Sequence, residues 1–211
     1  MNRPRVILAD DHTLILDALK KLLEPEFDVI GTFPDGHKLV ESAPKLDPNV
    51  IVLDIGMPTM DGLSAGQRLK KLMPAVKLIY LTMNQDPDIA REAFRFGASA
   101  FILKQSAGYE LVRAIRQVVR GGVYVTPLMT TATVGTFTHN YKRPKDKNRL
   151  TVRQREVLQL LVEGRSMKEA AFVLNVSPRT VAYHKYTMMA HLSITSNAEL
   201  IEYGMKRSLT G

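Results

Sequence analysis

Short apolar runs alternate with amphipathic stretches through residues 1–122. Val6–Ala9, Phe27–Thr32, Val50–Leu53, Leu78–Thr82 and Ala100–Leu103 read as strands, with the length and near-continuous apolarity of strands covered on both faces. Between them, apolar residues recur at helical spacing. Ile15, Ala18, Leu19 and Leu22 share one face of a helix that starts near His12. Leu63, Leu69 and Leu72 mark another. Ile89, Ala93 and Phe96 mark a third, stopped by Gly97, and Leu111, Ile115 and Val118 mark the last, which ends at Gly121-Gly122. Helices between successive strands predict parallel pairing through right-handed crossovers, a doubly wound α/β sheet of five strands.

The pattern then fails. Thr126–Asn140 is Thr-rich without a clear period, and Lys142–Arg149 is a charge run holding Pro144. This stretch reads as a linker, with room for a short helix around Leu128–Val134. Beyond it, helix starts are marked by side chains. Thr151/Gln154, Ser166/Glu169 and Ser196/Glu199 each match a capping box, and Ser177-Pro178 sets a cap before a first-turn proline. Four short helices follow from these signals. Leu158, Leu161, Ala170, Leu174, Val181, Met188 and Leu192 form their expected core, and Gly164 ends the first of them. The domain reading is therefore 1–124, a linker at 125–147, and 148–211.

Composition adds a charge asymmetry. Of the 211 residues, 45% are apolar, enough for a real core, and none is cysteine, which excludes disulfides and thiolate metal sites. That suits a reducing cytoplasm. No apolar run approaches the ~18 residues of a membrane span, and the N-terminus lacks a signal-peptide pattern. Residues 1–124 carry 16 Lys and Arg against 15 Asp and Glu, whereas residues 125–211 carry 13 against 6. A neutral first part and a basic second part suggest one module for a signal or chemistry and one for a polyanion. A solvated basic surface would look the same by charge alone.

The acids of the first part carry its chemistry. Asp54 closes the third strand-like run and Asp10-Asp11 closes the first. Open α/β sheets bind ligands at such carboxyl ends. If the two strands are neighbours, three carboxylates converge and repel unless a cation joins them, and Mg²⁺ favours carboxylate oxygens with water. Thr82 and Lys104 end the fourth and fifth runs at the same edge. An aspartate beside a cation, a lysine and a hydroxyl is equipped to accept a phosphoryl group. Each residue also has a plainer role: Asp11 a helix cap, Asp54 a turn acid, Thr82 a strand-end hydroxyl, Phe101 core, Lys104 an ion-pair partner. Their coincidence at strand ends favours the site.

Ala9-Asp10-Asp11, Asp54 with Met57-Pro58 and Asp61-Gly62, Thr82, and Gly97–Lys104 together resemble the receiver domain of bacterial response regulators, over roughly residues 4–122. The resemblance implies a flavodoxin-like five-stranded sheet in which Asp54 accepts phosphate from a histidine kinase. It implies Mg²⁺ held by Asp11, Asp54 and the Gly56 carbonyl, with Asp10 acting through water. It also implies a switch pair of Thr82 and Phe101, and a phosphoryl-holding Lys104. Gln105 stands where many receivers have proline, so the peptide bond after Lys104 is expected to be trans. Gly56 and Asn84, two residues after Asp54 and Thr82, are positions expected to tune phosphate lifetime.

Residues 148–210 resemble the LuxR-type helix-turn-helix of the NarL/FixJ class. Leu150–Leu158, Glu163-Gly164, Lys168–Ala171, Val176-Ser177, Thr180-Val181, His184 and Asn197–Leu200 carry the match. By resemblance, a recognition helix near Pro178–His191 enters the major groove. Arg179, Thr180, Ala182, Tyr183, Lys185 and Tyr186 form its DNA-contact set, with 182, 183 and 186 toward base edges and Arg179 and Lys185 toward phosphates. The last helix, Asn197–Lys206, is the implied dimer surface. Ala182, Tyr186 and His191 replace lysines common in relatives, which weakens guanine reading and leaves a thymine-methyl contact open to Ala182. Met188 and Met189 read as core. His184 reads as a structural hydrogen-bond partner, and with His12, His37 and His139 it makes no zinc spacing.

The expectation is a phosphorylation-controlled, promoter-binding transcription regulator. Phosphate at Asp54 frees or dimerises the basic module by biasing an existing two-state equilibrium. A haloacid-dehalogenase-type phosphatase would need a second acid where Gly56 stands, and there is no Gly-rich phosphate loop. Two rival functions stay compatible with the pattern: a phosphate-independent DNA-binding protein with a relic receiver, and a pure protein-interaction module.

Overall fold

A computed structural model describes residues 3–57, 60–129, 150–174 and 176–208. The chain divides into two compact units, residues 1–140 and 141–211.

The first unit is a parallel sheet with a helix after each of its first five strands. In order it runs β1 (Arg5–Ala9), α1 (Thr13–Leu23), β2 (Asp28–Phe33), α2 (Gly36–Leu46), β3 (Val50–Asp54), α3 (Gly62–Leu72), β4 (Lys77–Thr82) and α4 (Pro87–Arg95). Then come β5 (Ala98–Leu103), a 3-10 turn (Lys104–Ser106), α5 (Ala107–Val119) and β6 (Tyr124–Val125). The strand order is β2-β1-β3-β4-β5-β6. The first five strands are those expected. The sixth is an addition of two residues, pairing Tyr124 with Ala100 and Val125 with Phe101. It falls where the sequence pattern places the start of a linker.

Side-chain alternation divides the sheet into two faces. Val6, Leu8, Val50, Val52, Ile79, Leu81, Ala100 and Ile102 pack with residues of α1 and α5 in one core. Ile7, Leu53, Leu78, Tyr80 and Phe101 alternate with them on the opposite face, each fully buried. Gly97 has φ +90°, so its lack of Cβ lets the chain turn from α4 directly into β5. The marker Leu72 is 58% exposed and lies off the buried face of α3, where Leu63, Ala65 and Leu69 do the packing. α2 carries Pro44 in its last turn and is started by Asp35, whose carboxylate accepts from the Lys38 N–H at 2.9 Å.

The second unit is four helices: α6 (Val152–Val162), α7 (Met167–Val173), α8 (Pro178–Leu192) and α9 (Asn197–Ser208). Thr151/Gln154 and Ser166/Glu169 form reciprocal capping boxes. Ser177 caps α8 by accepting from the Thr180 N–H, with Pro178 in the first turn. The third expected box carries one further bond. Ser196 accepts from the Glu199 N–H at 3.2 Å, and the Glu199 carboxylate also reaches back one residue further, to the Thr195 N–H at 3.0 Å. The Thr195 N–H, with the Ser196 hydroxyl and N–H, holds the Glu199 carboxyl below its usual range. Gly164 (φ +81°) closes α6, and Arg165 N–H returns to the Leu160 carbonyl at 3.0 Å in a Schellman turn. Val157, Leu158, Leu160, Ala170, Ala171, Val181, Met188, Met189 and Leu200 are buried together, with Leu161, Leu174 and Leu192 at the margin. Among the described residues no helix is long and apolar enough to cross a membrane.

Candidate functional site

The acidic crevice lies where three rows of the sheet continue past its edge. Val6 and Leu8 lead to Asp10, Val50 and Val52 to Asp54, and Ala100 and Ile102 to Lys104. In each row the polar residue takes the next place on the face that α1 and α5 cover. Adjacent pairing of β1 with β3, in register from Val6↔Val50 to Ala9↔Leu53, brings the two acidic ends side by side.

Lys104 Nζ stands 2.7 Å from Asp10 Oδ2 and 3.0 Å from Asp54 Oδ2. Asp10 and Asp54 are 1% and 4% exposed, so one ammonium serves two carboxylates in a largely desolvated place. Burial pushes the Asp54 acid group above its ordinary value and the Asp10 charge adds to this, while Lys104 and the Gly56 N–H pull the other way. Asp11, half-buried, joins from the loop, and His12 Nδ1 lies 3.1 Å from both Asp10 Oδ1 and Asp11 Oδ1. Ligand atoms of Asp10, Asp11, His12 and Asp54 all fall within 4.8 Å of one another. Three carboxylates against one lysine leave a local negative surplus, and the donor set is mostly hard oxygen. Both fit a divalent cation. Sequence reasoning misses His12 because it tests histidines only for spacing to each other. Its position directly after two acids at a strand end is the available signal.

The loop that closes the crevice depends on Gly62. A Cβ there would run into the backbone carbonyl of Asp54, and the Gly62 N–H donates to the Ile55 carbonyl at 3.0 Å. Asp61 caps α3, accepting from the Ser64 N–H at 2.9 Å and the Ser64 hydroxyl at 2.7 Å. Of the expected Met57-Pro58 pair, Pro58 lies outside the described residues. The described chain has no cis peptide bond, so the one after Lys104 is trans.

Thr82 and Phe101 occupy the opposite face. Register sets Tyr80 beside Phe101 and Thr82 beside Leu103. Thr82 is 3% exposed, and its hydroxyl accepts from the Asn84 N–H at 3.0 Å. Phe101 is wholly buried. Next to Lys104, the Leu103 N–H donates to the Thr126 hydroxyl at 3.0 Å, and that hydroxyl donates to Glu110 Oε2 at 2.8 Å. Thr126 falls within the stretch that the sequence pattern marks as linker, yet it is bonded into the sheet of the first unit.

In the second unit, the expected DNA-contact set on α8 divides by burial. Arg179 and Tyr186 are exposed, with Ala182 and Tyr183 partly so, at the spacing of one helical face. Thr180 and Lys185, the other two expected contacts, are 4% and 7% exposed and lie off that face. Thr180 completes the cap, its hydroxyl 2.8 Å from that of Ser177, and Lys185 lies over the Tyr186 ring at 5.0 Å. His184 is buried and meets Tyr183 edge to ring, while Met188 and Met189 are core, as read.

A doubly wound sheet with three acids and a lysine at its carboxyl edge, followed by a capped four-helix unit with a semi-exposed recognition helix, defines a two-domain signalling regulator. Residues 6–116 match the response regulator receiver domain, and residues 148–203 match the bacterial regulatory proteins of the luxR family. The chain belongs to the response regulators that join a receiver to a luxR-type domain, a class of phosphorylation-controlled, DNA-binding transcription regulators. It is 32% identical over 213 residues to the oxygen regulatory protein NreC of Staphylococcus carnosus, covering 97% of this chain and 98% of the relative. Against NreC of Staphylococcus haemolyticus it is 31% identical, with the same coverage. Among solved structures, an RcsB–DNA complex aligns with TM-score 0.62 at 30% identity, covering 96% of this chain and 98% of that one. A structure of two RcsB dimers bound to two parallel DNAs has the same score, identity and coverage.

Proposed function

We propose that Asp54 is the phosphoacceptor through which a histidine kinase controls promoter binding by residues 148–211. The observation that carries this reading is the double engagement of Lys104, 3.0 Å from Asp54 and 2.7 Å from Asp10, at the edge where Asp11 also converges. In the transfer, an Asp54 carboxylate oxygen attacks phosphorus as the phosphorus–nitrogen bond of the kinase phosphohistidine breaks, and the imidazole leaves with the electron pair. Lys104 and the Gly56 N–H favour the ionised carboxylate against the burial that opposes it. Lys104 exchanges its carboxylate partner for a phosphoryl oxygen. Asp10, Asp11, Asp54 and the Gly56 carbonyl would hold Mg²⁺, which supplies charge neutralisation on the equatorial oxygens.

Thr82 donates a hydrogen bond from its hydroxyl to the new phosphoryl group, and its movement toward that group pulls on the bond the hydroxyl accepts from the Asn84 N–H. Phe101 starts fully buried, so the first movement of the pair falls to Thr82 and the turn after it. On DNA, Arg179 meets phosphate, Ala182, Tyr183 and Tyr186 face the groove, and the regulator acts as a dimer, as the RcsB dimers do. The setting is the cytoplasm, and the chain is a regulator with no catalytic turnover of its own.

The test is titration with beryllofluoride and Mg²⁺, with oligomer mass and promoter affinity followed for the wild type and Asp54→Asn. The wild type should gain mass and affinity, and the variant should not. Equal responses from both would remove Asp54 from the mechanism.

A further inference from the structure

We propose that His12 gives the acidic crevice a nitrogen ligand, so that the site favours first-row transition ions such as Mn²⁺ and Ni²⁺ beyond what its carboxylates alone would. The proposal rests on the phosphoacceptor reading and goes past it, since that reading uses only oxygen donors. Three observations carry it.

The first is edge length. Ligand atoms about 2.1 Å from an octahedral ion stand about 3.0 Å apart along each edge. His12 Nδ1 is 3.1 Å from Asp10 Oδ1 and 3.1 Å from Asp11 Oδ1, so one nitrogen and two carboxylate oxygens already have the spacing of adjacent vertices. The second is hydrogen count. A ring nitrogen carries at most one hydrogen, yet Nδ1 faces two carboxylates at equal distance. A cation between them would engage the nitrogen and both carboxylates at once. The third is placement. The His12 backbone N–H donates to Asp10 Oδ1 at 3.0 Å, which ties the residue to the crevice, while its side chain is 58% exposed and can take up a ligand without repacking.

Lys104 holds the other flank, against Asp10 Oδ2 and Asp54 Oδ2. It leaves the Oδ1 side of Asp10 to the ion. Imidazole is a better ligand for Mn²⁺ and especially Ni²⁺ than for Mg²⁺, which keeps water in preference.

The experiment measures binding of Mg²⁺, Mn²⁺ and Ni²⁺ to the full chain by calorimetry for the wild type, His12→Gln and Asp11→Asn. Pulsed electron paramagnetic resonance of the Mn²⁺ complexes reads nitrogen coupling. The wild-type Mn²⁺ spectrum should contain histidine nitrogen modulation, and His12→Gln should abolish it. Ni²⁺ affinity should fall at least tenfold in His12→Gln, whereas Mg²⁺ affinity should change no more than twofold. Absence of nitrogen coupling in the wild type would overturn the proposal, as would equal losses for all three ions. Ni²⁺ binding that survives Asp11→Asn would place the ion elsewhere and overturn it too. If no ion bound at all, the metal part of the phosphoacceptor reading would fail with it, whereas equal losses would leave that reading intact.

Discussion

Replacing Thr126 with valine keeps the shape of a wholly buried side chain and deletes its hydroxyl. Two bonds go with it: the one accepted from the Leu103 N–H at 3.0 Å and the one donated to Glu110 at 2.8 Å. The Leu103 N–H sits in the sheet interior and is left without an acceptor, a loss of about 1–3 kcal/mol. Glu110 loses a charge-assisted donor but is half-buried, reaches water and keeps its bond to Tyr124, so this second loss is the smaller. Together they should destabilise the receiver unit by roughly 2–4 kcal/mol, or roughly 10 °C in melting temperature for a unit of this size. Denaturant unfolding of the full chain, with the receiver transition followed by hydrogen exchange at Leu103, reads both the energy and its location. Thr126→Ser restores the hydroxyl and should recover most of the loss. A valine variant within about 0.5 kcal/mol of wild type, the range of an ordinary surface substitution, would refute the assignment of Thr126 as an anchor.

Asp54→Asn should stabilise the receiver at neutral pH when no divalent ion is present. Burial, the largest influence, and the Asp10 charge both raise the acid's folded value above its ordinary 3.8. An acid so shifted holds its proton more tightly in the folded state, so ionising it costs stability. That cost is absent below the ordinary carboxylate range, grows as pH rises toward the folded value and is complete above it. The gain from asparagine should therefore vanish in acid melts and be largest at neutral pH, and a pH-independent gain would contradict it. On DNA, Arg179→Ala should weaken binding and reduce the salt slope by about one. Lys185→Met should lower stability and leave the slope alone, and a fall of about one in the slope would put that amine on phosphate.

The strands and most helices were legible because local pattern and tertiary role agree. Val50–Leu53 is apolar throughout because α helices cover both faces of β3, and Thr151, Ser166 and Ser177 announce helices by chemistry that operates within four residues. α2 was not legible: Pro44 breaks its pattern, and it begins on a single aspartate cap. The acids and Lys104 could be placed at one edge from their positions at strand ends. Their shared face could not, since it depends on parity in three separate strands. Burial of Lys185 was equally hidden, because an exposed lysine and one laid over a neighbouring tyrosine read alike in a helix. β6 escaped because two residues carry no period, and its pairing with β5 is reinforced by Thr126 bonding across 23 positions to Leu103.

That bond bears on how a chemical event on one face of the sheet reaches the other. Asp10, Asp54 and Lys104 belong to the α1–α5 face, whereas Thr82, Leu103 and Phe101 belong to the opposite one. Lys104 and Leu103 are consecutive, so any movement of Lys104 would turn the peptide that joins the two faces. The Leu103 N–H next to that peptide is held by Thr126, and Thr126 also donates to α5 through Glu110 and pairs its own N–H with the Phe101 carbonyl at 3.0 Å. The segment leading out of the receiver is thus bonded to the backbone on both sides of Ile102, close to Lys104, which meets Asp54. A shift at Lys104 must be absorbed by stretching these short buried bonds or by carrying β6 with it. β6 is itself fastened by the buried Tyr124 and by the Thr126–Glu110 bond, so a displacement carried by β6 would have to take α5 with it.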